Sequence, residues 1–184
     1  ILQNLLLGQK IYKMLVDFKS LNKNSRVWVY QSVTLIDDYL VETIKEKLTL
    51  FLSEWKSHQN NLKSSFEIIS NTFIIIAVDE NNLVSGCSID LLVNFVKELE
   101  NTHDLQLLDK FHVKFIKNGE IHTLHLNDFK ILCKKLKSDE KLVVYNNLIN
   151  NINELENNWK VDIRNSWHNS CLLYTSPSPR DRIA

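Results

Sequence analysis

Between Arg26 and Ser32 the chain reads RVWVYQS, with Val27 and Val29 alternating against Trp28 and Tyr30. Period-two alternation in β-branched and aromatic residues predicts a first strand. Downstream the period changes. Ile36, Leu40, Ile44, Leu48, Phe51 and Trp55 recur at spacings of three and four, the apolar stripe of a helix running to about Lys56, with Thr34 and Asp37 placed as a capping box. Phe66 to Ile69 and Thr72 to Val78 (TFIIIAV) read as strands. The second is apolar on both faces and belongs in the middle of a sheet. Ser85 to Asp90 (SGCSID) opens a second amphipathic helix, with Ile89, Leu92, Val93, Val96 and Leu99 on one face.

Asn118-Gly119 predicts a type I′ hairpin, because both central positions of that turn need positive φ. Counting outward from Lys117 and Glu120 sets Phe115 opposite His122, Val113 opposite Leu124 and His112 opposite His125. The face of Val113 and Phe115 is apolar, with His122 a satisfied histidine at its margin, and the face of Lys114 and Thr123 is expected to be largely solvated. A short helix over 128–136, a strand over 141–145 and a terminal helix striped by Leu148, Ile152, Leu155 and Trp159 follow. The order predicts an α+β fold. We expect an antiparallel or mixed sheet of about five or six strands with three or four helices mainly on one face, as a ferredoxin-like variant.

Composition matters most at the ends. Cys171 to Asp181 reads CLLYTSPSPRD, which resembles translated sequencing adaptor, and Met14 is the single methionine. Residues 1–13 are therefore expected to be translated upstream DNA, 14–170 one α+β domain, and 171–184 an adaptor-derived, disordered tail. The 22 basic and 22 acidic residues balance. Setting the two ends aside leaves a slight acidic excess, which disfavours nucleic acid as a partner. No apolar run approaches the ~20 residues of a membrane span, and a cytoplasmic location is expected. Neither Cys87 nor Cys133 has the spacing of a disulfide framework or a CxxC metal site. The Asn-rich run 146–158 reads as compositional bias.

The segments SRVWVYQS (25–32), SGCSID (85–90), VVYNNL (143–148) and SWH (166–168) together resemble a family of small uncharacterised bacterial cytoplasmic proteins often labelled "ABC transporter ATPase". The resemblance spans nearly all of 14–168 and implies no defined activity. A P-loop needs the pattern GxxxxGK[ST], whose glycines let backbone amides wrap the phosphates. The three glycines here are Gly8, Gly86 and Gly119, and none stands in that pattern or in LSGGQ. ATP hydrolysis by a P-loop is rejected.

Cys87 is the sharpest chemical candidate. A thiol in a helix's first turn sits among unpaired amides that favour its thiolate, so Cys87 could serve a thiol-dependent enzyme or redox sensor, with His58 or His168 as a base from afar. Ser85, Gly86, Ser88 and Asp90 surround a helix start that could hold an anion; their bland role is capping. Arg26 and Trp28 on the first strand, and Trp167 and His168 beyond the last helix, complete the candidate ligand-binding set, although Trp28, Tyr30, Trp55 and Trp159 also suit a core and the Trp167–His168 tail suits structural docking. His112 and His125 form a weak metal candidate that lacks a third ligand. The leading expectation is a noncatalytic module that binds a protein partner or a small anionic ligand, without cofactor.

Overall fold

The computed structural model describes residues 15–79 and 84–173. The fold is α+β, and every pairing between its named strands is antiparallel. The strands divide over sheets of three, two and four rather than one sheet of five or six. Contacts cluster into two compact units, Ile1–Asp109 with Asn147–Glu156, and Lys110–Asn146 with Asn157–Ala184.

The first unit is built on β1 (Arg26–Gln31), β4 (Ser64–Ile69) and β5 (Phe73–Val78), in the order β1-β5-β4. All six residues of β5 are buried, so it is the middle strand that its two-sided apolar run predicts. Helix α1 (Asp38–Glu54) joins β1 to β4, and α2 (Gly86–His103) follows β5. Because β1 and β4 are each antiparallel to β5, they run parallel to one another with β5 between them. This is the split β-α-β arrangement with which ferredoxin-like topologies begin.

The fourth strand of such a topology would lie outside β1, and here irregular backbone takes that position. Val27 N–H donates to Asn150 O (2.9 Å), Ile152 N–H to Ser25 O (3.1 Å), and Arg26 bridges Asn151. The opposite edge is closed at one point by Leu15, which bridges Ser64. Covered edges leave fewer open backbone groups to template a foreign strand.

One face of this sheet, through Tyr30, Ile74, Ile76 and Val78, joins Ile44, Leu48 and Leu52 of α1 and Leu92, Val96 and Leu99 of α2 in a single core. Phe51 of α1 stacks on Phe95 of α2 at 4.4 Å. The helix begins one turn later than its sequence suggests. Asp37, rather than Thr34, is the N-cap, its side chain accepting from Leu40 N. After α1 comes a feature the apolar pattern did not announce, a hairpin of β2 (Lys56–Ser57) and β3 (Asn60–Asn61). Its turn residues His58 and Gln59 have φ of 49° and 68°, a region uncommon for residues other than glycine.

The second unit contains β6 (His112–Lys117), β7 (Glu120–His125), β8 (Val143–Tyr145) and β9 (Lys160–Asp162), in the order β7-β6-β8-β9. The β6–β7 register is the predicted one, from Lys117↔Glu120 to His112↔His125, and Asn118 and Gly119 take φ of 52° and 80°. Helix α3 (Leu126–Lys134) lays Phe129 and Cys133 against Val113, Phe115, Val144 and Ile163. Helix α4 (Ile152–Asn158) begins after Leu148 and ends before Trp159, the two ends of the expected stripe, and the chain then forms β9, a strand the pattern did not predict. Of the tail expected outside the fold, residues 171–173 belong to the short helix α5 (Ser170–Leu173), with Cys171 buried, and 174–184 lie outside the described residues.

One expectation for this sheet is corrected. The face of Lys114 is not uniformly solvated, because Lys114 is 3 % exposed and donates to Thr123 Oγ1 at 2.6 Å. Burial pushes its ammonium down to about 8.

Leu48, with no exposure, and Leu50, 58 % exposed, lie two residues apart on opposite sides of α1. Leu48→Ala is expected to lower stability by about 2–5 kcal/mol, and Leu50→Ala by no more than about 0.5 kcal/mol, as read from urea denaturation midpoints.

Candidate functional site

Trp55 follows α1 directly, and its indole Nε1–H donates to Ser88 O at 2.9 Å. That bond, buried within the first unit, pins the start of α2 to the end of α1. Three more bonds reinforce it. Ser85 N–H donates to Ser57 Oγ (3.1 Å), Ser88 Oγ–H donates to Lys56 O (2.8 Å), and Ser85 Oγ, as N-cap, accepts from Ser88 N (3.2 Å). Ser85 and Ser88 hydroxyls also lie 2.7 Å apart. Since the Ser88 proton goes to Lys56 O, Ser85 must donate in that pair. Both serine hydroxyls are therefore committed to holding the helix start, which is the capping role. Gly86, Cys87 and Asp90 remain exposed on the same first turns.

Trp55 also connects this helix start to the first strand. Its ring meets Trp28 edge-on, with centroids 6.0 Å apart, and the Arg26 guanidinium carbon lies 4.7 Å from the Trp28 ring centre. Guanidinium over indole is a favourable cation–π geometry. Arg26 pairs with Val78 across the sheet, at the end of β5 after which the chain leads into α2. The two candidate patches, Arg26–Trp28 and 85–90, are thus linked at one end of the first unit through Trp55, whose ring meets Trp28 and whose N–H bonds the Ser88 backbone carbonyl. The tip of the β2–β3 hairpin flanks the same end. His58 there is exposed and adjoins Ser57, the acceptor for Ser85 N–H. Trp55 and Ser57 escape a motif-based search because neither carries a recognisable site signature; their importance comes from what they join.

Trp167 and His168 belong to the second unit. Trp167 is 43 % exposed, whereas His168 is 1 % exposed, stacked on Trp167 at 3.7 Å and edge-on to Phe129 at 5.9 Å. Ser166 Oγ lies 2.9 Å from its Nδ1. Loss of water around the ring pushes the imidazolium down to about 4. His168 is thus a core histidine of the docked tail. Cys133 is likewise interior, and burial first, then the neighbouring Cys171, pushes its thiol up to about 11. Burial also raises Cys171.

His112 and His125 stand side by side as the register requires, with ring centres 5.5 Å apart at 85°. His125 caps α3, its Nδ1 accepting from Asn127 N at 3.3 Å. In the neutral ring that places the proton on Nε2, leaving no lone pair there for a metal. Among the described residues no group of three or more His, Cys, Asp or Glu side chains is arranged to hold a metal ion. His122 stacks on Phe115 at 5.6 Å, at the margin of the apolar face.

No family model, curated protein or solved structure matches the chain. The geometry of the first unit is therefore the basis for reading its chemistry. At this end of the unit the start of α2 is exposed at Gly86 and Cys87, and the Arg26 guanidinium is held over the Trp28 indole.

Two outcomes test these assignments. Ser85→Ala removes the cap of α2 and is expected to cost about 1 kcal/mol, with Ser88→Ala costing a similar amount by freeing Lys56 O; thermal denaturation reads both. For His168 the folded value lies below the unfolded one, so the unfolded chain binds the extra proton. Its contribution to stability is complete above about 6.5 and is lost as pH falls through about 4. A pH series of urea midpoints should show a loss of up to about 3 kcal/mol across that window, and the loss should shrink in His168→Asn.

Proposed function

We propose that this chain is a noncatalytic binding module for a small anionic ligand or an acidic group on a protein partner, with Arg26, Trp28 and the first turn of α2 as its site. The observation that carries this reading is the path Arg26–Trp28–Trp55–Ser88, which holds a guanidinium and an exposed helix start at one end of one unit. Amides at a helix start favour negative charge, and arginine adds charge-assisted hydrogen bonds. Commitment of the Ser85 and Ser88 hydroxyls to capping supports binding over hydroxyl nucleophilic chemistry. Membership of the family labelled "ABC transporter ATPase" belongs to the same proposal, with the label denoting association and not hydrolysis by this chain. No helix among the described residues is long and apolar enough to cross a membrane. We place the protein in the cytoplasm, without nucleic acid as partner.

A second reading has its own observation. Cys87 is exposed in the first turn of α2, while Cys133 and Cys171 are buried. It makes the chain a thiol-dependent enzyme or redox sensor, with the exposed His58 on the neighbouring hairpin as the base to test.

Tryptophan fluorescence should separate the two readings, since Trp28 and Trp55 both adjoin the site. Titration with phosphate and with a short acidic peptide is expected to shift the emission. Arg26→Gln should weaken binding roughly 10- to 100-fold, the loss of one hydrogen bond to a charged group. An unchanged affinity in Arg26→Gln would remove Arg26 from the site. Alkylation by iodoacetamide well below the ~8.5 of a free thiol, with His58→Ala slowing it, would instead favour the thiol reading.

A further inference from the structure

Asn118 and Gly119 are the tip of the β6–β7 hairpin, with φ of 52° and 80°, and the strand ladder closes at Lys117↔Glu120. The peptide joining them therefore lies beyond the last paired residues. Both are exposed, and a side chain starting at Gly119 would meet nothing within 4 Å. They form the single Asn-Gly pair of the sequence. A side-chain amide can be attacked by the backbone nitrogen of the next residue to close a five-membered ring. A Cβ on that next residue shields the nitrogen; glycine leaves it open.

We infer that Asn118 is a site of spontaneous deamidation. Solvent base removes the Gly119 amide proton, and that nitrogen attacks Asn118 Cγ. The new N–Cγ bond forms as Cγ–Nδ2 breaks, and Nδ2 leaves as ammonia after taking a proton from water. Water then opens the succinimide at either carbonyl, yielding aspartate or isoaspartate. Nothing is oxidised or reduced, and water is the co-reactant.

The consequences follow from position. The sequence has a formal net charge of +0, so either product makes it net negative by one charge and separable by ion exchange. Isoaspartate also lengthens the main chain at the turn by one methylene, which breaks the match between a two-residue I′ turn and the twist of its strands. In its sheet β7 is the outer strand, paired with β6, so the turn is the main device setting its register.

Peptide mapping by mass spectrometry on the full chain tests this, after incubation at neutral and mildly alkaline pH, folded and in urea. Asn118→Asp provides the aspartate standard. The expected result is conversion at Asn118 in the folded protein, rising with pH, within a few-fold of the rate in urea and ahead of Asn24, Asn165 and Asn169, each followed by serine. Survival of the Asn118 amide in the folded protein while it converts in urea would overturn the inference, as would faster conversion at any of the three serine-followed sites.

Discussion

The first unit depends on burying β5 from both sides. A six-residue strand with no exposed side chain cannot lie at an edge or face water, so it demands a neighbour on each edge and cover on each face. β1 and β4 supply the edges, and α1 and α2 cover one face through Ile44, Leu48, Leu92 and Val96. The connection follows from this constraint. To flank β5 in parallel, β1 and β4 need a crossover between them, and α1 is that crossover.

Packing then fixes the candidate site. Once α1 and α2 lie on the same face, the end of one helix and the start of the other come together, and Trp55 spans them with a single buried hydrogen bond. The indole has one polar atom, which would be costly to leave unpaired inside the core. Its partner, Ser88 O, belongs to the turn whose hydroxyls cap the helix, so core packing and capping are coupled there. Arg26 and Trp28 join from the first strand because Trp55 offers its ring as well as its N–H.

The second unit shows a different economy. Its register is local, set by a two-residue turn, and its apolar face is closed by α3 with Phe129 meeting Phe115 at 5.4 Å. Polar groups inside it carry visible costs. Lys114 and His168 are both held below their ordinary values by burial. Tyr145, also buried, is raised by the same cause, and its ring contacts Trp159 at 5.0 Å.

Wherever neighbouring residues in sequence decide the outcome, the chain was readable by itself. The strand 26–31, the central character of 73–78, the two amphipathic helices, the α+β class and the full register of the Asn118-Gly119 hairpin all rest on periodicity or on one turn's φ requirement. That a helix opens within 85–90 was legible for the same reason, while the choice of Ser85 as its N-cap came from the structure. Distant contacts were not. The His58-Gln59 turn takes positive φ without glycine or asparagine, the segment at 150–153 covers β1 in place of a strand, and β9 is too short for periodicity to show. The two units interleave along the chain, with no linker composition to mark the boundary. That Arg26, Trp28 and the start of α2 share one end of a sheet, while His168 lies in a different core, was decided by packing alone, because a side chain's surroundings are set by which apolar faces must be buried together.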